Sequence, residues 1–367
     1  MSIFIDLSAQ IRNRIKQEGP ISVYDFMKHA LQTAEAGYYT GQTSILGTTG
    51  DFTTAPEISQ LFGEIIGLWC LNIWHLNGCP KKFNLIELGP GNGTLMKDLL
   101  RATKNAKAFH KALKIYFVEI NNNFIEKQKK QINHHSIEWV PSYDHVPKGF
   151  SILVANEFFD ALPINQYTKK KENWQINMVD LNADKQHLYI NQLDASTEIK
   201  EFLSSNYPYV EDGGIVETQD EANFLMSKIS TDIVTHGGAA LVIDYGYTES
   251  SSRSFISSLQ AIKNHKYSPV FEEIGNADLS SHINFTSLYD VAKLYKAHVY
   301  GPINQNTFLS NMYIDIRKNL LCTKATAKQK AEILSGYDRL MNPNQMGSLF
   351  KVLALTDKNF LPPEIGF

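Results

Sequence analysis

The segment Ile86-Glu87-Leu88-Gly89-Pro90-Gly91-Asn92-Gly93-Thr94 joins an apolar run to a stretch with helical spacing. Glycines at such a junction let the backbone turn sharply and let a ligand approach with no Cβ in the way. The helix that follows offers free amide donors at its first turn. A dinucleotide site expects Gly-x-Gly-x-x-Gly. Here the glycines fall at 89, 91 and 93, and position 94 is Thr. Glu87 stands two residues before the first glycine, where a carboxylate opposes a pyrophosphate and suits an ammonium group. A second acid, Glu119, ends the next apolar run, Tyr116-Phe117-Val118-Glu119, and can there accept both hydroxyls of a ribose. The two acids and the glycines together point to S-adenosylmethionine, which carries an ammonium and a sulfonium and no phosphate. Glu87, Gly89, Pro90, Gly91, Asn92, Gly93, Thr94 and Glu119 form this expected cofactor set. A dinucleotide site and a plain structural turn are the competing readings.

Two later segments extend the site. Pro141-Ser142-Tyr143-Asp144 follows the third strand, where the adenine lies in this topology. An ordinary connection explains Ser142 and Tyr143 equally well. Asn156-Glu157-Phe158-Phe159-Asp160-Ala161-Leu162-Pro163 ends the fourth strand, where a donated methyl group should emerge. A buried carboxylate is costly without a cation or donors, so Glu157 and Asp160 are expected to serve catalysis. Capping of a short turn is the bland alternative for Asp160. An arginine acceptor stays protonated to very high pH, and a carboxylate such as Glu157 could grip its guanidinium and orient one nitrogen. An amide acceptor would instead use Asn156, which is otherwise counted with the cofactor residues. His282, in Asp278-Leu279-Ser280-Ser281-His282, lies in an irregular stretch, where a lone histidine is more often structural. Gly50 to Gln60 reads equally as a polar site segment and as a helix cap.

The elements that must hold these residues follow from hydrophobic period. Short apolar runs at Phe83–Leu88, Ile115–Ile120, Ile137–Val140, Ile152–Ala155 and Ala239–Asp244 predict strands, with helices at Thr94–Thr103 and from Asn123 to Ile132. Such alternation predicts an α/β fold with a mostly parallel sheet. Leu349–Leu355 is expected as an antiparallel edge strand. The pattern predicts helices in residues 1–36 and 303–345, a loop over Gly37–Pro56, hairpins over Gln166–Ile190 and irregular structure over 246–290. Apolar residues from Leu61 to Leu76 recur at helical spacing. Glu64, Asn72 and His75 interrupt them, so the stretch falls short of the roughly 20 apolar residues a membrane span needs.

Composition sets the outer bounds. The 367 residues are 43% hydrophobic and 20% charged, with a formal net charge of -3. That balance leaves no electrostatic footprint for nucleic acid. Cys70, Cys79 and Cys322 form neither a disulfide framework nor a metal-binding pair, so no metal is expected. The first residues, MSIFIDLSAQ, lack a signal or transit pattern, which predicts a cytoplasmic, bacterial-type chain with no stable membrane insertion.

The ordered set Gly37-Tyr38-Tyr39, Gly50 to Gln60, Glu87 to Leu95, Asn156 to Pro163, Leu241 to Tyr247, Asp278 to Phe285 and Met346 to Lys351 resembles the MidA-like SAM-dependent methyltransferases. Mitochondrial members of that family assist assembly of respiratory complex I. The resemblance implies a Rossmann-like, seven-stranded class I methyltransferase core with added helical N-terminal and inserted elements. It also implies methylation of an arginine on a respiratory-complex subunit. On that analogy Glu87, Gly89, Gly91 and Gly93 hold the cofactor, Glu157 faces the acceptor, and His282 lines the active site. Ser280-Ser281, Asn284 and the Ser-rich stretch from Ser250 depart from the family pattern. A domain boundary is expected at residue 80, with residues 81–367 as the core and insertions at about 164–212, 246–290 and 303–345. The expected partner is a protein substrate, with no oligomeric state implied. A SAM-binding assembly chaperone without turnover, a small-molecule methyltransferase and an NAD-dependent oxidoreductase are the rival functions.

Overall fold

Ile152-Leu153-Val154-Ala155 and Ala239 to Ile243 offer no polar residue at alternate positions, which only a strand covered on both faces can tolerate. In the computed structural model, which describes residues 6–33, 36–41, 54–134, 136–249, 255–357 and 365–367, these runs lie at the centre of one sheet. Its strands are β1 (Phe83–Leu88), β2 (Leu113–Val118), β3 (Ile137–Val140), β4 (Ser151–Asn156), β5 (Gly238–Tyr247), β6 (His298–Asn304) and β7 (Phe350–Thr356). The order across the sheet is β3-β2-β1-β4-β5-β7-β6, and β7 alone runs antiparallel to its neighbours. A two-residue strand, Ile283–Asn284, adds to the end of β5. Strand order reverses between β1 and β4, and in open α/β sheets the ligand crevice opens at that point, outside the strands' carboxyl ends.

The expected edge strand near Leu349–Leu355 is antiparallel but interior. β6 occupies the edge instead. Every residue of β6 is half-buried, and Gly301-Pro302 interrupts it, so it carries no strand period for the sequence to show.

The chain divides into two compact units. The second comprises residues 46–159, 225–248 and 283–367 and contains this sheet. The expected boundary at residue 80 coincides with neither unit. Helix α1 (Gln60–Leu76) joins the core of the sheet unit through Leu61, Phe62, Ile65, Ile66, Trp69 and Ile73. Ser59 caps it by accepting the Leu61 amide at 3.3 Å. Two glycines let α1 lie directly on α2 (Thr94–Thr103). A Cβ at Gly63 would stand 2.7 Å from Asp98 Cβ, and one at Gly67 would stand 2.9 Å from Leu99 Cα. α2 thereby gains a fixed seat behind the glycine segment. The fully buried Glu64 on α1 accepts from Arg317 at 2.6 and 3.0 Å and from Arg101 at 3.0 Å. A buried carboxylate is tolerable only with such partners.

The first unit comprises residues 1–45, 160–224 and 249–282. It holds helices Leu7–Glu18 and Val23–Gln32 and an antiparallel sheet of Ile21–Ser22, Asn165–Lys170, Asn173–Leu181, Leu188–Asp194 and Ile215–Thr218. Trp174, Leu203 and Val216 are fully buried in its core. The stretch expected to be irregular carries a three-stranded sheet, Gln260–Lys263, Lys266–Ser268 and Asp278–Ser280. Strands of three or four residues are too short to show a period of two.

Candidate active site

The sheet unit builds most of the expected cofactor set in one place. Gly89, Gly91 and Gly93 have φ of 59°, 52° and 82°, in the left-handed region that favours glycine. A Cβ on Gly89 would also come within 2.8 Å of Phe158 Cδ2. Gly93 caps α2 without a side chain, which leaves that helix's first amides uncapped by any side-chain acceptor. The flanking polar residues are otherwise engaged. Thr94 Oγ1 donates to Glu57 Oε1 at 2.5 Å, and Asn92 Nδ2 lies 3.4 Å from the same oxygen. Both therefore brace the Thr54–Gln60 segment against the glycine turn.

Glu87 is 3% exposed at the end of β1, and its Oε2 has no hydrogen-bond partner. Burial, and next the nearby Glu119, push its carboxyl well above the usual range. Glu119 follows β2. Its Oε1 accepts the amides of Ile120 at 2.9 Å and Asn121 at 2.8 Å, and its Oε2 accepts from Gln128 Nε2 at 3.3 Å. Burial raises its carboxyl to about 7 against those donors. Across β4, Asn156 Oδ1 is a second buried acceptor without a partner. The Asn156 amide group instead donates to Glu157 Oε1 at 3.2 Å, which also accepts the Ala55 amide at 3.0 Å.

Glu157 has φ of 49°, an uncommon conformation for a residue with a Cβ. Its own amide is fixed on the Ile243 carbonyl at 2.9 Å. Asp244, fully buried on β5, accepts the Phe159 amide at 3.0 Å and holds the turn that follows. Strain of this kind clusters at functional sites.

Ser142 and Tyr143 stand apart from this pattern. Ser142 Oγ contacts His145 Nδ1 at 2.8 Å. Tyr143 is buried, and burial followed by Asp232 raises its phenol strongly.

Asp160 and His282 belong to the first unit, where they lie on neighbouring segments. The Asp160 carbonyl accepts the Ser281 amide at 3.0 Å. The His282 amide donates to Ser258 Oγ at 2.9 Å, and Ser258 donates to the buried Glu217. Tyr39 donates to Asp278 at 2.6 Å. Burial first, then Asp278 and Asp160, raise its hydroxyl well above the ordinary value.

Five residues of these networks escaped the site expectation: Tyr39, Glu57, Gln128, Glu217 and Asp244. Glu57 lies within the motif Pro-Glu-Ile-Ser-Gln, and Tyr39 and Asp244 within family segments, so a signal existed for them. Gln128 and Glu217 sit in unremarkable polar contexts with none. Gly50 to Thr53 and Ser250 to Ser254 lie outside the described residues.

A strand order with one reversed strand, a glycine turn after β1 and acids ending β1 and β2 define a nucleoside-binding α/β protein of the methyltransferase type. A family profile described as "Putative S-adenosyl-L-methionine-dependent methyltransferase" matches residues 65–303, and the chain belongs to that family. It is 33% identical to a Xenopus laevis protein named "Protein arginine methyltransferase NDUFAF7, mitochondrial", over 96% of this chain and 87% of the relative. The human protein of the same name is 34% identical, over 93% and 81%. The fold matches the crystal structure of a Burkholderia thailandensis superfamily member bound to S-adenosyl-homocysteine, with a TM-score of 0.82 at 23% identity, covering 95% of this chain and 91% of that one.

The family's cofactor is S-adenosylmethionine, and the residues present fit it. The unpartnered Glu87 oxygen suits an ammonium group. Stripping a carboxylate of water costs on the order of several kcal/mol even after relaxation, which a cation at that oxygen would offset. The three glycines keep the turn clear of side chains. No helix among the described residues is long and apolar enough to cross a membrane.

Proposed function

We propose that this chain transfers a methyl group from S-adenosylmethionine to an arginine of a protein, and that the protein is a subunit of a respiratory complex. Glu87, Gly89, Pro90, Gly91, Gly93, Glu119 and Asn156 hold the cofactor in this reading, and Asn92 and Thr94 stiffen its loop. Bound S-adenosylmethionine supplies an electrophilic methyl group on a cationic sulfur. Everything else is alignment and charge, which the chain's own residues provide. Glu157 accepts hydrogen bonds from the guanidinium and aims one nitrogen. As the new N–C bond forms, Glu157 takes up the proton that nitrogen loses. Asp160 and His282 are the further catalytic residues of this reading.

The observation that carries this reading is the geometry of Glu157, a strained residue at a strand end whose Oε1 is fixed by the Ala55 amide and the Asn156 side chain. The names of the relatives support it. So does the charge of the first unit, which holds 20 acidic and 12 basic residues against 18 and 23 in the second, together the 38 and 35 of the chain. An acidic unit suits a cationic acceptor segment.

The test is to incubate the purified chain and labelled S-adenosylmethionine with a lysate from a strain deleted for it. The expected result is a labelled protein whose methyl maps to an arginine by tandem mass spectrometry. Label confined to small molecules, or mapped to another side chain, would overturn the reading.

A further inference from the structure

Helix α3 (Asn122–Gln131) is polar along most of its length, yet Gln128 on it is fully buried. Both its amide nitrogen and its carbonyl oxygen are engaged. Nε2 donates to the Gly91 carbonyl at 2.7 Å and to Glu119 Oε2 at 3.3 Å. Oε1 accepts from Trp139 Nε1, on β3, at 2.7 Å. An indole nitrogen only donates and a carbonyl only accepts, so these partners fix which way the amide points. The reversed amide would set its oxygen against two acceptors and its nitrogen against a donor. The backbone supports the same placement, since a Cβ on Gly93 would lie 3.2 Å from Gln128 Cγ.

We propose that Gln128 is a positioning residue of the cofactor site, one amide that locks the glycine turn to the carboxylate of Glu119. The inference rests on the cofactor reading above. Glu119 has its Oε1 pinned by two backbone amides, but that leaves its carboxylate plane free to turn about one oxygen. Gln128 fixes the second oxygen and, through the same nitrogen, the carbonyl in the middle of the turn. The two ends of the nucleoside site are thereby held at one separation before any ligand arrives, and such preorganisation strengthens binding. Trp139 acts one step further out. It sets the polarity of the amide, and its ring packs against Phe117, with centroids 6.0 Å apart.

Calorimetric titration with S-adenosylhomocysteine tests this without reference to turnover. Gln128→Glu keeps the shape and the Trp139 contact. Once ionised, it faces the Gly91 carbonyl and Glu119 with no hydrogen to give. Glu119 also acts on a further acid, Glu87 on β1, whose carboxyl it helps to raise. Affinity in Gln128→Glu is expected to fall about 30-fold at pH 8 and under about 5-fold at pH 6, where a carboxyl can still donate. Trp139→Phe leaves the core filled and is expected to lose about 3- to 10-fold at both pH values. Combined with Glu119→Gln, the Gln128→Glu loss is expected to shrink at least about threefold, because residues in one network do not act additively. Additive losses, or a Gln128→Glu loss that is the same at both pH values and follows the fall in melting temperature, would overturn the proposal. If Gln128→Glu fails to fold, Trp139→Phe decides alone, and unchanged affinity there overturns the proposal. A wild-type chain that does not bind S-adenosylhomocysteine refutes the cofactor reading itself, a different outcome from wild-type binding that these substitutions leave intact.

Discussion

The two units solve the same problem with different materials. In the sheet unit, the proposed site rests on backbone: a turn of three glycines in the left-handed region, strand ends that present Glu87 and Glu119, and a strained Glu157 whose amide is pinned to β5. In the first unit it rests on chains of side chains, Tyr39 to Asp278 and Ser258 to Glu217, gathered from segments far apart in sequence. The first arrangement suits a ligand that never changes. The second can be altered one side chain at a time, which would suit the acceptor role proposed for it.

The largest expected effect separates transfer from cofactor binding. Glu157→Gln should lower methyl transfer by about a thousandfold while leaving S-adenosylhomocysteine affinity within about twofold, because the contact it loses is to the acceptor. A parallel loss of affinity would move Glu157 into the cofactor set. Glu87→Ala should do the reverse, weakening the cofactor by about a hundredfold with under about a threefold change in rate at saturation. Initial rates over a wide cofactor range read both numbers. Glu217→Ala should lower transfer by about tenfold at unchanged cofactor affinity, since its hydrogen bonds run to Ser258 and Gln166 in the first unit. Equal damage to cofactor binding would erase the distinction between the units.

Proton linkage gives a smaller and signed effect. Burial lifts Glu119 from an ordinary 4.5 to about 7, so between those values the folded chain keeps a proton that the unfolded chain has lost. Stability from this group is therefore greatest below the lower value and declines as pH rises toward 7. Cofactor affinity should move the opposite way, because the ionised carboxylate accepts two hydroxyl donors. A rise of about 3- to 10-fold between pH 6 and 8 is expected, and Glu119→Gln should flatten it. Calorimetry across that range checks the slope. The smallest effect concerns the acidic unit. The KM for a basic acceptor peptide should rise a few-fold between 50 and 300 mM salt, roughly, with the rate at saturation unchanged.

How much of this the sequence disclosed follows the same division. β1, α2 and β3 are bounded as their apolar periods predict, and the glycine turn is legible because its residues are contiguous. Glu57 and Asp244 sit in recognisable motifs, but their work as braces depends on partners 37 and 85 residues away. Gln128 gave no sign at all. A buried glutamine on a polar helix looks like a solvated one until the Trp139 and Gly91 contacts place it. The first unit was legible as hairpins over Gln166–Ile190 and least legible over Gln260–Ser280, where strands of three or four residues carry no period and the networks join residues far apart in the chain.

The central claim is that the turn at Gly89 and the acid at Glu87 hold a cationic, phosphate-free nucleoside. A crystal grown with S-adenosylhomocysteine tests it most directly. The account predicts the ligand's ammonium on Glu87 and its ribose hydroxyls on Glu119, with the Gln128 amide unmoved. A ligand bound with neither acid in contact would contradict it, as would a crevice that takes a dinucleotide in its place.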